Sequence, residues 1–203
     1  MSSLASREKQ FLLRIARESL RAAAAGRELP ESAAPEPALS GGAGAFVTLR
    51  KRGRLRGCIG QIGTDRPLAD AVASSAKSAA LEDPRFDAVT PEEVPEIEIE
   101  ISVLSAFEDI DPDRIEAGRH GLLVSRGWQR GLLLPQVAAE MRWSARKLLE
   151  ETCVKAGLER DAWREPETKI QGFTAEVFGE TELPPEESPG ARGPAKPGYS
   201  TST

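Results

Sequence analysis

The stretch Ala45-Phe46-Val47-Thr48-Leu49-Arg50-Lys51-Arg52-Gly53-Arg54-Leu55-Arg56-Gly57-Cys58-Ile59-Gly60 reads as two short strands, 45–50 and 54–59, joined through Lys51-Arg52-Gly53. A glycine stands where the chain must reverse, as a hairpin requires. Side chains alternate faces along a strand. Arg54, Arg56 and Cys58 are therefore expected on one face, with Leu55 and Ile59 on the other. That alternation places a thiol close to guanidinium groups, which favours the nucleophilic thiolate. Gly57 and Gly60 beside it let a ligand approach the backbone.

Outward from this hairpin the chain alternates helical and extended patterns. Residues 6–25 carry Leu12, Ile15, Ala16 and Leu20 at helical spacing, and Gly26 and Pro30 stop the helix. The Ala-, Pro- and Gly-rich run from Leu29 to Gly44 reads as an extended surface connection. Asp65 or Arg66 opens a second helix with Pro67 near its first turn, and Asp83-Pro84 ends it. Pro95 to Leu104 is the clearest strand: Ile97, Ile99, Ile101 and Val103 face one way, Glu96, Glu98, Glu100 and Ser102 the other. A second hairpin is expected around Gly127, a short helix from Pro135, and another from Ser144 to a Gly157 C-cap. Lys169 to Phe178 reads as one last strand. The acidic, Pro- and Gly-rich tail 180–203 reads as disordered, leaving residues 1–179 as one domain.

The totals exclude several classes. At 203 residues, with 39% hydrophobic and 29% charged residues, the chain is long enough for a substantial core. A net charge of −5 argues against duplex nucleic acid as a partner, and the basic run 50–56 lacks the interleaved aromatics of single-strand binders. No apolar run approaches a membrane span, and the N-terminal stretch is charged and amphipathic, so a cytoplasmic protein is expected. The two cysteines, Cys58 and Cys153, suit neither a disulfide framework nor a zinc site and are expected to be reduced. No metal and no cofactor is assigned.

Several segments in order resemble the AMMECR-type domain family, whose bacterial and archaeal members are called AmmeMemoRadiSam system protein A. They are Phe46-Val47-Thr48-Leu49, Leu55-Arg56-Gly57-Cys58-Ile59-Gly60, Asp83-Pro84-Arg85-Phe86, Ser102-Val103-Leu104-Ser105, His120-Gly121-Leu122, Gly131 to Val137, Ala156-Gly157-Leu158 and Asp161-Ala162-Trp163. The resemblance implies an α+β fold: a mostly antiparallel sheet flanked by helices, a smaller β-containing sub-lobe, and a cleft between them. It also implies a functional role for the Leu-Arg-Gly-Cys-Ile-Gly motif. The partners it implies are a Memo-like, dioxygenase-related protein and a radical-SAM enzyme.

The candidate site follows from the residues and this resemblance. Cys58 is the candidate nucleophile, against the alternative of a small residue buried in a tight strand. His120 is the only histidine, so imidazole acid–base chemistry falls to it, and a Cys58–His120 pair would meet the minimal need for nucleophile and base. Arg56 would hold a small anion, with Gly57 and Gly60 beside it. Glu98, which the resemblance favours over Glu100, would balance Arg56 or orient His120. Gln136, in the first turn of its helix, would present its amide to a ligand. Asp83-Pro84-Arg85-Phe86 reads as a helix end and a loop anchor, and Trp128 as a hairpin tip suited to an interface. Two functions fit: a small-molecule-binding or thiol-dependent catalytic cleft, and a non-enzymatic adaptor for the Memo-like and radical-SAM partners.

Overall fold

Strands β1 (Ala45–Lys51) and β2 (Arg54–Gln61) form the expected hairpin, and its turn is set by backbone conformation. Arg52 and Gly53 both take positive φ, 53° and 75°, the combination that lets two residues reverse a twisted ribbon. The computed structural model describes residues 3–29, 44–63 and 66–183. Most of the expected connection 29–44, Asp65 and the tail from 184 onward lie outside the described residues.

The hairpin joins β3 (Ile97–Leu104) and β8 (Ala175–Gly179) in an antiparallel sheet of order β2-β1-β3-β8. Helices α1 (Ser6–Ala24) and α2 (Leu68–Leu81) cover one face. The alternation of β3 decides which face that is. Ile97, Ile99, Ile101 and Val103 are buried, with Val47 and Leu49, against Leu12, Leu13, Leu20, Leu68 and Val72. The alanines of α2 allow close approach: a Cβ at Gly57 would stand 2.1 Å from the Ala79 carbonyl oxygen. Arg17 of α1 fastens the last strand, donating to both Glu180 carboxylate oxygens and to the carbonyls of Val94 and Ile97.

A second antiparallel sheet, β4-β7-β5-β6, is built from β4 (Glu108–Asp109), β5 (Gly121–Arg126), β6 (Gln129–Leu133) and β7 (Lys169–Phe173). Its core gathers Leu122, Val124, Leu148, Leu149 and Cys153, the last three from α4 (Ala145–Lys155). Ser144 caps α4 by accepting from the Lys147 amide, and Gly157 ends it with φ of 76°. The expected single strand 169–178 is instead two. It breaks at Thr174, where β7 leaves one sheet and β8 enters the other. Ser105 makes the parallel crossing: its amide donates to the Thr174 carbonyl, and its hydroxyl accepts from the Thr174 amide. Leu104, Leu132 and Phe173 fill the junction, with Phe46 and Leu134 packed on them. No described helix is long and apolar enough to cross a membrane. The α+β class with two sub-lobes is observed.

Candidate functional site

The register of the first sheet lays its uncovered face out in rows. Gly60, Phe46, Ser102 and Val177 form one row across four strands; Cys58, Thr48, Glu100 and Gly179 form the next. The second sub-lobe meets the sheet at the first row. Phe46 packs into the junction, and the Gln136 amide nitrogen, from helix α3 (Pro135–Glu140), donates to the Ser102 hydroxyl at 2.9 Å. The row of Cys58 therefore lies at the margin of that contact, one step along each strand.

Cys58 is partly buried on edge strand β2, and its sulfur accepts from the Thr48 hydroxyl at 3.3 Å. Its backbone points outward from the sheet edge and is met there by an ion pair. The Asp83 carboxylate accepts from the Cys58 amide at 2.8 Å, and Arg85 donates to the Cys58 carbonyl at 3.4 Å. Asp83 and Arg85 hold each other at 2.7 Å. The pair occupies the hydrogen-bonding places of a missing strand and so seals the edge. The Asp83 side chain is only 2% exposed. The guanidinium of Arg85, aided by the Cys58 amide, holds its carboxyl well below the usual carboxylate range although burial pushes the other way.

The arginines expected beside the thiol are elsewhere. The ladder pairs Leu49 with Gly57 but Arg50 with Leu55, so Arg56 is the extra residue of a β-bulge and the alternation of Arg54, Arg56 and Cys58 is broken. Arg56 turns to Glu93, at 2.9 Å, and to the Asp87 carbonyl. Lys51 reaches the same carboxylate at 3.0 Å, and Arg52 pairs with Glu96 at 2.7 Å. Arg56 and Lys51 hold the Glu93 carboxyl down at about 2. Lys51, Arg52 and Arg56 of the basic hairpin are thus engaged by carboxylates of the segment preceding β3.

Lys155 lies in the last turn of α4 on the second sub-lobe. Its side chain is reachable by water but crowded by protein. That crowding lowers its pKa from the ordinary lysine value, and Cys58 acts in the opposite direction. Neither Asp83 nor Arg85 is among the site residues expected from sequence. Asp83 and Arg85 had a signal, since both fall within a segment that carries the family resemblance.

The remaining candidates separate. Gly57 faces the helices and serves their packing, and a Cβ at Gly60 would strike the Phe46 ring at 2.3 Å. Packing by itself accounts for a glycine at both positions. Glu98 sits opposite Arg50, one row beyond Glu100, and these three line a shallow groove with Val177, Gly179 and Glu182. Gln136 does face the junction, and its Oε1 is buried with no hydrogen-bond partner among the described residues, an acceptor left for a donor. His120 closes a tight turn, its Nδ1 accepting from the Glu116 amide at 3.1 Å. It lines a different hollow, with Ser105, Glu108 and Thr174, and among the described residues no contact joins it to Cys58. No described cluster of His, Cys, Asp and Glu is arranged to hold a metal ion. What the Cys58 margin offers chemically is a half-buried thiol with a hydroxyl donor beside it.

Comparison with known proteins places this geometry in a family. A protein from Methanothermobacter thermautotrophicus is 49% identical over 144 residues, 68% of this chain and 75% of that one. A Pyrococcus furiosus protein is 42% identical over 199 residues, covering 92% of this chain and 91% of its own. The crystal structure of the uncharacterised protein PH0010 from Pyrococcus horikoshii superposes with a TM-score of 0.79 at 40% identity, covering 86% of this chain and 92% of that one. The AMMECR1 family model matches residues 13–178, and the chain belongs to that family.

Proposed function

We propose that the margin between the two sub-lobes is a small-molecule site in which Cys58 acts through its thiol, in a cytoplasmic protein working alongside Memo-like and radical-SAM proteins. The observation that carries this reading is the environment of the sulfur. The residue is half-buried, its sulfur accepts a hydrogen bond from Thr48, and its backbone, not its side chain, is held by the Asp83–Arg85 ion pair. A structural cysteine needs none of this, as Cys153 in the second core demonstrates. This reading does not require His120: the Thr48 hydroxyl supplies the polar group at the sulfur.

The test is intact-mass analysis after incubating the protein with the small-molecule fraction of a cell extract. An added mass that maps to Cys58 and disappears in Cys58→Ala is the expected result. No added mass on the native protein, or the same added mass on Cys58→Ala, contradicts it.

A second reading is supported by one residue. Trp128, at the tip of the β5–β6 hairpin, is 90% exposed. Exposed tryptophan is enriched where proteins dock, which suits an adaptor role. If docking is the function, Trp128→Ser abolishes capture of the Memo-like or radical-SAM protein while Cys58→Ala leaves capture intact.

A further inference from the structure

His120 and its neighbours line a hollow of about 310 Å³ that the thiol reading leaves unused. That volume is at the small end of the range for ligand pockets, roughly 300–1,000 Å³. One residue organises its donor side. Glu116 gives its amide to His120 Nδ1 at 3.1 Å, takes the His120 amide on its carbonyl at 2.9 Å, and holds Arg119 with its carboxylate at 2.9 Å. Gly118, at φ of 88°, lets the chain turn tightly enough to do so. With Nδ1 accepting, the neutral imidazole carries its proton on Nε2, and Nε2 has no hydrogen-bond partner among the described residues. The Arg119–Glu116 pair is solvent-exposed and contributes little, so the guanidinium is free to donate elsewhere. The other side is an acceptor. Glu108 reaches the hollow from β4, across β7 from the His120 turn, and its carboxylate has no ion pair or hydrogen bond among the described residues. Ser105 and Thr174, where the chain crosses between the sheets, line the same hollow.

Charge decides what fits. A simple anion on His120 and Arg119 meets the Glu108 carboxylate, and a simple cation on Glu108 meets the guanidinium. A molecule carrying both charges satisfies both sides. We propose that this hollow is a second binding site, for a small zwitterion of the α-amino acid class. Its carboxylate accepts from His120 Nε2 and Arg119, and its ammonium donates to Glu108. The site stands apart from Cys58 and does not depend on the thiol reading. The plain alternative is a histidine that only fastens its own turn, which uses Nδ1 and leaves Nε2 to water.

The chain has one histidine, so the imidazole nitrogen NMR signals of the isotope-labelled full chain, made without a histidine tag, belong to His120. They are followed at one pH and ionic strength while one of three unlabelled pools is added. The first holds the standard amino acids, the second their α-N-acetyl derivatives, which lack the ammonium, and the third their amides, which lack the carboxylate. The free amino acids are expected to move the Nε2 signal to a plateau. Either blocked pool is expected to need at least about tenfold more for the same shift, the effect of one charge at close range. Glu108→Gln and Arg119→Gln, both at exposed positions, are each expected to weaken the response to the free pool by a similar factor. A ring that responds to no pool, or that carries its proton on Nδ1, overturns the site. Equal responses to free and blocked pools, or a response that both variants leave within about twofold of native, overturn the amino acid assignment.

Discussion

Cys58 and Cys153 are the same side chain in opposite surroundings, and the contrast shows how this fold separates packing from chemistry. Cys153 is 0% exposed on α4, among Leu122, Leu148 and Leu149. Burial pushes its thiol pKa up, away from the reactive form. Cys58 lies on an edge strand at the margin of the second sub-lobe, with a hydroxyl donating to it. One position is enclosed by hydrocarbon. The other is held rigidly by its backbone while its side chain is left accessible. What fixes Cys58 is therefore mostly not in contact with its sulfur: Gly57 against α2, and Asp83 on the edge amide.

The largest effect belongs to Gly57→Ala. A Cβ placed 2.1 Å from the Ala79 carbonyl oxygen forces α2 off the sheet, and we expect a loss of about 3 kcal/mol or more in chemical denaturation, or failure to fold. A loss below about 1 kcal/mol would mean that β2 is not clamped as described.

Next comes Asp83→Ala, expected to cost about 2 kcal/mol, because it strands the Cys58 amide and frees Arg85, which is half-exposed and recovers some solvation. The charge can be isolated by pH. The Asp83 carboxyl is depressed in the folded state, so its stabilisation is fully present above the ordinary aspartate value near 3.8 and is lost as pH falls towards the folded value. The melting-temperature gap between native protein and Asp83→Asn should be widest at neutral pH and narrow below about pH 4. A gap of constant width from pH 7 to 3 contradicts the ion pair.

The smallest effect sharpens the comparison itself. Cys153→Ser places a hydroxyl in hydrocarbon and should cost about 1–2 kcal/mol, whereas Cys58→Ser should cost less than about 0.5 kcal/mol. Equal losses in denaturant titrations would erase the distinction between the two environments.

The hairpin and the β3 alternation were legible in the sequence because each is a local pattern: a two-residue turn with glycine, and isoleucines at period two. The helix ends at Ser144 and Gly157 were legible for the same reason. Cys58 was legible as a candidate through its motif, but its charged neighbours were not. A single extra residue at Arg56 shifted the alternation, and nothing local announces a bulge between Leu49 and Arg50. The expected pairing of Cys58 with His120 required a distance that chain order cannot supply, and the fold puts the histidine in another hollow. The break at Thr174 was hidden because residues 169–178 are uniformly extended while changing sheets.

The most direct test labels the native full chain with iodoacetamide and reads each cysteine peptide before and after unfolding in denaturant. The account predicts that Cys58 is modified in the folded protein while Cys153 is modified only once the chain unfolds. If Cys58 stays unlabelled until Cys153 becomes reactive, the two sulfurs are equally enclosed and the accessible thiol at the margin does not exist.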